Sequence, residues 1–351
     1  MDGQWTLETH GDPLGRVRNL IKVIWLKSDL HGMLVTLDEG NGAHAVPRYI
    51  TDVAVIDTIN PFRPVMEVNA ARRIPGILAE HPRVRVGALL RPCEQRALTE
   101  MAKHISIDLD RLLTISVDCL GTLPADEYQW RRERIQKGLP QAETTDDLAQ
   151  EALKFARQGG IIPYRFRPAC QVCASPAATD ADINLYVLGL PVREEILVSI
   201  REPRVAGELG LDSYANGKAE DTAIFQRERI LAKMGERHAR HMQMVSQSLG
   251  SLLSVDVDGL ILRLEACGDC QACLDACPIC SVDRPARDAD GHYDRQAVMR
   301  WLVSCAGCGM CEQACPEHLP TAAIFTHLRQ QLDEQWSYTP GHSVDEPLPI
   351  I

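Results

Sequence analysis

The chain has 351 residues, 45% hydrophobic, 24% charged and 5% aromatic, with a formal net charge of −11. That composition describes a globular protein long enough for two domains and excludes a disordered or fibrous chain. The acidic balance argues against a nucleic-acid surface, because displacing counterions from phosphate needs clustered Lys and Arg. The short basic cluster Arg131, Arg132 and Arg134 reads as a solvated helix face. No apolar run approaches the ~20 residues that span a bilayer, and Met1-Asp2-Gly3 opens neither a basic nor an apolar leader. No transmembrane segment and a cytoplasmic location are therefore expected. Thirteen cysteines without a signal peptide point to metal or redox chemistry rather than disulfides.

Apolar positions at helical spacing predict a helix over 15–28, followed by a strand at Gly32–Leu37. A second strand is predicted at Asp52–Asp57, then a loop through Asn60-Pro61-Phe62-Arg63-Pro64. Helical structure follows from Ala70 to Glu80, interrupted by Pro75 and closed by Pro82. Val84–Leu90 reads as a buried strand. After it, Arg91-Pro92-Cys93-Glu94 leads into a helix ending near His104, and a strand at Leu112–Val117 ends at Asp118-Cys119-Leu120-Gly121. Two cysteines thus lie just past the carboxyl ends of successive strands, the edge where ligands bind in open parallel sheets. Helices are predicted at 124–137 and 145–158, the second from its Thr/Asp start.

A Cys170-x2-Cys173 pair sits in a loop ahead of two apolar strands, Ile183–Leu190 and Glu195–Ile200. With Cys93 and Cys119 it makes four thiols, the number a third cubane cluster needs, although free cysteines are also common packing residues. From Ala219 to Leu253 a helical stretch carries Ile224, Leu231, Met234, Met242, Val245 and Leu249, an amphipathic stripe that fits a connector packed on the first domain better than a docking face for a partner. His238 and His241 lie three apart without a further ligand nearby, and read as a solvated pair.

The last quarter holds two copies of one pattern. Cys267, Cys270, Cys273 and Cys277 precede Pro278, and Cys305, Cys308, Cys311 and Cys315 precede Pro316, so each copy reads C-x2-C-x2-C-x3-C-P, the bacterial ferredoxin run. Three evenly spaced thiolates let a short loop wrap one face of a cubane, and in two-cluster ferredoxins the fourth cysteine of each run serves the other cluster. One [4Fe-4S] cluster is therefore expected on Cys267, Cys270, Cys273 and Cys315, and another on Cys305, Cys308, Cys311 and Cys277. A structural zinc site fits less well, since its ligands usually come in two separated pairs. Cys280 is left over, read as a packed thiol beside a cluster. The fold class expected is an α/β domain with a mostly parallel sheet, followed by a C-terminal ferredoxin-like 2[4Fe-4S] domain. The boundaries are placed at 1–218 for the α/β domain, 219–258 for a helical connector, 259–337 for the ferredoxin-like domain, with a helix from Thr321 to Trp336, and 338–351 for an irregular tail. A chain cut after about Gly259 is expected to keep a folded α/β domain, as an independent core would allow.

These residues resemble a known family, the beta subunits of coenzyme F420-reducing hydrogenases and of related formate dehydrogenases. The resemblance is carried by Arg91-Pro92-Cys93-Glu94, Asp118-Cys119-Leu120-Gly121-Thr122, Pro168-Ala169-Cys170-Gln171-Val172-Cys173 with Ala181-Asp182-Ile183, and the double run, and it covers nearly the whole chain. The module order and Cys277-Pro278-Ile279-Cys280 look most like the formate dehydrogenase subunits. The resemblance implies FAD beside one cluster in the α/β domain, with Cys93, Cys119, Cys170 and Cys173 as that cluster's ligands. It implies an iron–sulfur flavoprotein subunit of a multisubunit oxidoreductase, relaying electrons between partner redox centres and a deazaflavin or nicotinamide. The partners implied are a catalytic dehydrogenase or hydrogenase subunit, a heterodisulfide-reductase-like subunit, and a soluble electron carrier. No catalytic or flavin-contacting side chain follows from it. Where the family often has Gly-x-Pro-Cys-Gln, this chain has Leu90-Arg91-Pro92-Cys93-Glu94, and where many members carry two glycines after Ala-Asp-Ile it has Asn184-Leu185-Tyr186-Val187-Leu188-Gly189. Those missing glycines favour an alternative, a flavin-free adaptor joining a dehydrogenase or hydrogenase to a heterodisulfide-reductase-like partner.

Overall fold

The structure, a computed structural model, describes residues 3–39, 44–138, 146–160, 165–248, 256–267 and 269–349. Its described strands are β1 (Gly3–Glu8), β2 (Gly32–Glu39), β3 (His44–Ile50), β4 (Val86–Leu90), β5 (Leu112–Val117), β6 (Ile183–Tyr186) and β7 (Glu195–Ile200), hydrogen-bonded in the order β1-β7-β6-β5-β4-β2-β3. The four central strands β2, β4, β5 and β6 run parallel, while β3 closes one edge and β7 with β1 the other in antiparallel register. The sheet of the α/β domain is therefore mixed, with a parallel centre. Strands β4 and β5 are buried along their whole length, as parallel strands covered on both faces must be.

Strand alternation divides the core. Val86, Ala88 and Leu90 of β4 face one side and Leu89 the other. On the Leu89 side, the helix Pro13–Lys27 lays down Val17, Leu20, Ile21 and Ile24, spaced by three or one, and Met234 of the long helix Asp221–Ser248 joins the same cluster. On the Val86 side, the helices Ile74–Glu80 and Pro92–His104 contribute Ile74, Ile77, Leu98 and Met101. That second cluster continues without a break into the C-terminal part, through Leu260, Ile279, Trp301, Phe325 and Leu328. Trp301 meets Phe325 edge-on at 4.7 Å between ring centroids.

Polar contacts fasten the same junction. His104 lies between Ser304 Oγ at 2.8 Å and Asp283 Oδ2 at 2.9 Å. Glu100, fully buried, accepts from the Tyr338 hydroxyl at 2.6 Å and the Gly341 amide at 2.7 Å, and pairs with Lys103 Nζ at 2.9 Å. The segment after Tyr338 has no regular structure among the described residues, yet these bonds pin its start to the Pro92–His104 helix.

Several elements differ from the sequence expectation. Residues 52–57 form no strand: Val53–Thr58 is a 3-10 helix, started by the Asp52 carboxylate, which accepts from the Ala54 amide at 2.9 Å. Pro75 does not interrupt its helix but occupies the first turn, where a missing N–H costs nothing. Strand β6 stops at Tyr186 rather than Leu190 because the next two amides turn to Asp118. Cys170 lies in a single helical turn, Pro168–Gln171, rather than a loop. His238 is buried, not solvated. Thr145, the Arg134 side chain and residues 249–253 of the predicted long helix lie outside the described residues. Among the described residues no helix is long and apolar enough to cross a membrane.

Because residues beyond Gly259 cover the face made by Val86, Ala88, Leu90, Leu98 and Met101, the two parts do not have independent cores. A chain cut after Gly259 is expected to aggregate; a monomeric fragment that melts cooperatively would contradict the shared core. Burial, helped by Arg237 and His241, holds the His238 imidazole down at about 4. The unfolded chain then binds the proton first, so stability is expected to fall as pH drops from about 6.5 towards 4 and to level below. His238→Gln should flatten that part of the pH dependence of urea unfolding; an unchanged slope would place it on other groups.

Candidate metal centres

Cys93 stands in the first turn of the Pro92–His104 helix, Cys119 two residues past β5, and Cys170 and Cys173 in and just after the Pro168–Gln171 turn. The fold brings these four thiols together. Burial pushes the Cys93 thiol well up, and the charges of Glu94, Cys119 and Cys308 add to the rise. Burial also raises Cys119, against the Arg91 guanidinium, with Cys170 and Cys173 adding to it. At Cys170 burial is outweighed by Arg167 and by Thr122, whose Oγ1 lies 3.1 Å from the sulfur, so its pKa falls below the ordinary thiol value.

The two positions that depart from the family pattern have defined contacts here. Arg91 directs Nη1 at the Cys119 sulfur, 3.9 Å away, and donates from Nη2 to the Arg63 and Val65 carbonyls. Glu94 accepts from the Arg91 amide at 2.8 Å and the Ala70 amide at 2.9 Å, joining the start of its helix to the segment before it. Beside Cys119, the Asp118 carboxylate accepts from the amides of Ala178, Val187 and Leu188 at 2.8–2.9 Å and from both Nη groups of Arg227. The backbone donors next to the glycine-free stretch are thus taken by an internal carboxylate.

The eight cysteines of the C-terminal runs fall into two further groups. Burial raises Cys267, with Cys315 and Cys270 adding to it, and raises Cys273 to about 11, with Cys267 and Cys315 adding. In the other group, burial raises Cys308 to about 12, and Cys277 and Cys305 add to it; Cys311 rises by burial and by Cys305, Cys277 and Cys308. Each run's fourth cysteine therefore lies with the other run's first three. Trp301 Nε1 donates to Cys277 Sγ at 3.3 Å and Thr321 Oγ1 to Cys311 Sγ at 3.3 Å. The buried Cys280 thiol donates to Cys277, the main reason that thiol sits at about 7, and also feels Cys273 and Cys311, which places it between the two groups. Among the described residues no three His, Cys, Asp or Glu side chains converge tightly enough to hold a single metal ion.

Residues 263–319 match the family model of the 4Fe-4S dicluster domain. The chain carries a C-terminal 4Fe-4S dicluster domain. Over nearly its whole length it is also similar to curated proteins. The F420-dependent formate dehydrogenase subunit beta of Methanocaldococcus jannaschii is 24% identical, covering 96% of this chain and 93% of that protein. The F420-dependent formate dehydrogenase 1 subunit beta of Methanococcus maripaludis is 24% identical over 97% of this chain and 93% of its own. Among solved structures, a chain of the F420-reducing [NiFe] hydrogenase complex from Methanosarcina barkeri, studied as a xenon derivative, matches 70% of this chain and 91% of its own at 11% identity and a TM-score of 0.48. The fold expected from the resemblance, an α/β domain followed by a dicluster domain, is the one observed.

The dicluster domain meets the four N-terminal thiols directly. Gly309, at a φ of +67°, lies so close to Ala169 that a Cβ there would overlap the alanine methyl. Met66, Cys308 and Met310 form a small apolar cluster against Cys93. Arg167, 4% exposed, crosses this contact, reaching Cys170 on one side and the Cys308 carbonyl on the other. Sequence reasoning named Arg91 and Thr122 only as part of the resemblance, without a role, and missed Arg167, whose local signal was a charge set between Phe166 and Pro168 just before the Cys170 pair.

The thiol fours suit iron–sulfur clusters, being soft donors in the number a cubane needs. A flavin fits less well. The cavity at the carboxyl ends of β2, β4 and β5, lined by Thr36, Asn60, Arg91, Asp118 and Cys119, measures about 30 Å³ and holds about one or two waters, too small for a flavin ring. A larger groove of about 270 Å³ opens between Leu123, Leu148, Phe155 and Phe166, with Arg131 and Arg165 along it. Replacing Arg227 by Met would leave the buried Asp118 carboxylate without its counter-charge. The variant is expected to lose about 3–5 kcal/mol of stability in chemical denaturation, and a loss under 1 kcal/mol would show the amides alone suffice.

Proposed function

We propose that the chain is the iron–sulfur subunit of an oxidoreductase complex and relays single electrons through three [4Fe-4S] clusters. What supports this is that twelve thiols lie close to one another in three fours: Cys267, Cys270, Cys273 with Cys315; Cys305, Cys308, Cys311 with Cys277; and Cys119 with Cys93, Cys170 and Cys173, where Cys93 also neighbours Cys308. Bound there, the clusters would take up and release one electron at a time. The protein's part is to keep the thiolates grouped, to hold water off Cys308 and Cys311, and to supply hydrogen bonds from Trp301, Thr321, Thr122, Arg91 and Arg167 to their sulfurs.

On this reading residues 1–218 hold the inner cluster, 219–258 connect, and 259–337 hold the outer two. Cys270 is exposed while Cys308 and Cys311 are buried, Cys308 against Met66 and Cys93 of the α/β domain, so on this reading a partner's redox centre meets the Cys267 group first. The similarity to formate dehydrogenase beta subunits supports a dehydrogenase-type catalytic partner, and on the same reading a heterodisulfide-reductase-like protein or a soluble carrier stands on the other side. A second reading adds FAD with a deazaflavin or nicotinamide acceptor; the groove beside Phe166, apolar with arginines along it, favours it.

Protein purified without oxygen is expected to contain about twelve irons with equal acid-labile sulfide, and the Cys93→Ser variant about eight. Iron unchanged in that variant would return Cys93 to core packing. Flavin released on denaturation in a one-to-one ratio would replace the flavin-free relay with the second reading.

A further inference from the structure

We propose that Arg167 is a positioning residue shared by two clusters: its buried guanidinium lies between the Cys93 and Cys305 groups and raises the reduction potential of both. This rests on the three-cluster reading above. The geometry is specific. Arg167 donates from Nε to Thr122 Oγ1 at 2.7 Å and from Nη1 to Gln313 Oε1 at 2.9 Å. From Nη2 it reaches the Cys308 carbonyl at 3.2 Å, Cys170 Sγ at 3.7 Å and Met66 Sδ at 3.8 Å. Thr122, Cys170 and Met66 belong to the α/β domain, while Cys308 and Gln313 belong to the dicluster domain. Among the described residues these partners are neutral groups or sulfur, so its charge is not cancelled by a paired carboxylate. Glu94 and Glu312 lie within reach of it, but Glu94 accepts from the Arg91 and Ala70 amides and Glu312 from the Ala322 amide.

An electron added on either side makes that side more negative, and a fixed cation in a poorly screened interior favours the addition. Hydrogen bonds to cluster sulfurs act in the same direction. One guanidinium between two acceptors raises both together, so it adds little to the step met by an electron leaving one, which is oxidised, for its neighbour, which is reduced. Among the described residues the contacts of Arg167 include no cysteine of the Cys267 group. Lysine would not substitute fully, since its point charge lacks the planar fork that holds Thr122, Gln313 and Cys308 at once.

The test is an EPR-monitored redox titration of the full-length protein, wild type against Arg167→Gln and Arg167→Lys, with iron and sulfide counted in each sample and the inner cluster identified by its loss in Cys93→Ser. Arg167→Gln should keep the iron, lower two midpoint potentials and leave the third in place; Arg167→Lys should lower the same two by less. Should the glutamine variant lose iron, the lysine variant decides by the same pattern of two shifted and one unshifted. Full iron with every midpoint unmoved, or all three moved equally, would overturn the role of Arg167 and leave the three-cluster reading intact. A wild-type protein with about eight irons would overturn both.

Discussion

Burying a carboxylate is costly unless its oxygens find donors, and the buried Asp118 meets that demand. It ends β5 and collects the amides of Ala178, Val187 and Leu188 and the Arg227 guanidinium. Those donors come from the loop after Cys173, from the chain leaving β6 and from the long helix, three segments distant in sequence. The guanidinium also lies 3.9 Å from the centre of the Tyr186 ring, which adds cation–π attraction to the pair. One residue further on is Cys119, so the position of that thiol is inherited from the carboxylate before it. The same contacts explain why β6 is short and why no backbone donors are left there for a phosphate.

Around this point the fold is built as two faces of one sheet, and the second face is shared. The helix Pro92–His104 carries Cys93 at its start, Leu98 and Met101 in the joint core, and Glu100, Lys103 and His104 as ties to the C-terminal segments. Few elements could shift here without moving a thiol. That rigidity matters for electron transfer, because groups held at fixed separation in a low-dielectric interior need little reorganisation when charge moves.

How much of this was legible depended on whether the signal was local. The double cysteine run, the buried strands β4 and β5 and the helices Pro13–Lys27 and Thr321–Trp336 follow from spacing and apolar periodicity alone. Edge strands were not legible: β1 reads Gly-Gln-Trp-Thr-Leu-Glu with few apolar positions, and β3 contains Pro47, tolerable only because β3 has a neighbour on one side. The Val53–Thr58 turn was hidden by a strand-like Val-Ala-Val-Ile, and only the Asp52 cap tells against it. At the thiol sites, cysteine spacing points to the groups, but the donors to their sulfurs come from Arg91, Thr122, Arg167, Trp301 and Thr321, which no motif unites. Arg91 and Glu94 stood out as departures from a pattern, and only tertiary contacts give them roles as a charge beside Cys119 and a clasp between two segments.

The distribution of charge then bears on direction. The chain is acidic overall, yet the inner thiol group, each member of it partly buried, is flanked by two guanidinium groups, Arg91 and Arg167. The Cys267 group instead lies near the surface, where Cys270 is exposed and water screens any neighbouring charge. On the proposed three-cluster reading, local cations act on both ends, Arg91 and Arg167 beside the inner thiols and Arg287 beside Cys267, while arginine contacts to sulfur are found at the inner end. Burial by itself acts the other way from these cations, because an apolar interior resists added negative charge. On the proposed three-cluster reading, the two guanidinium groups beside Cys119 and Cys170 thus offset part of the cost of adding an electron to a buried site.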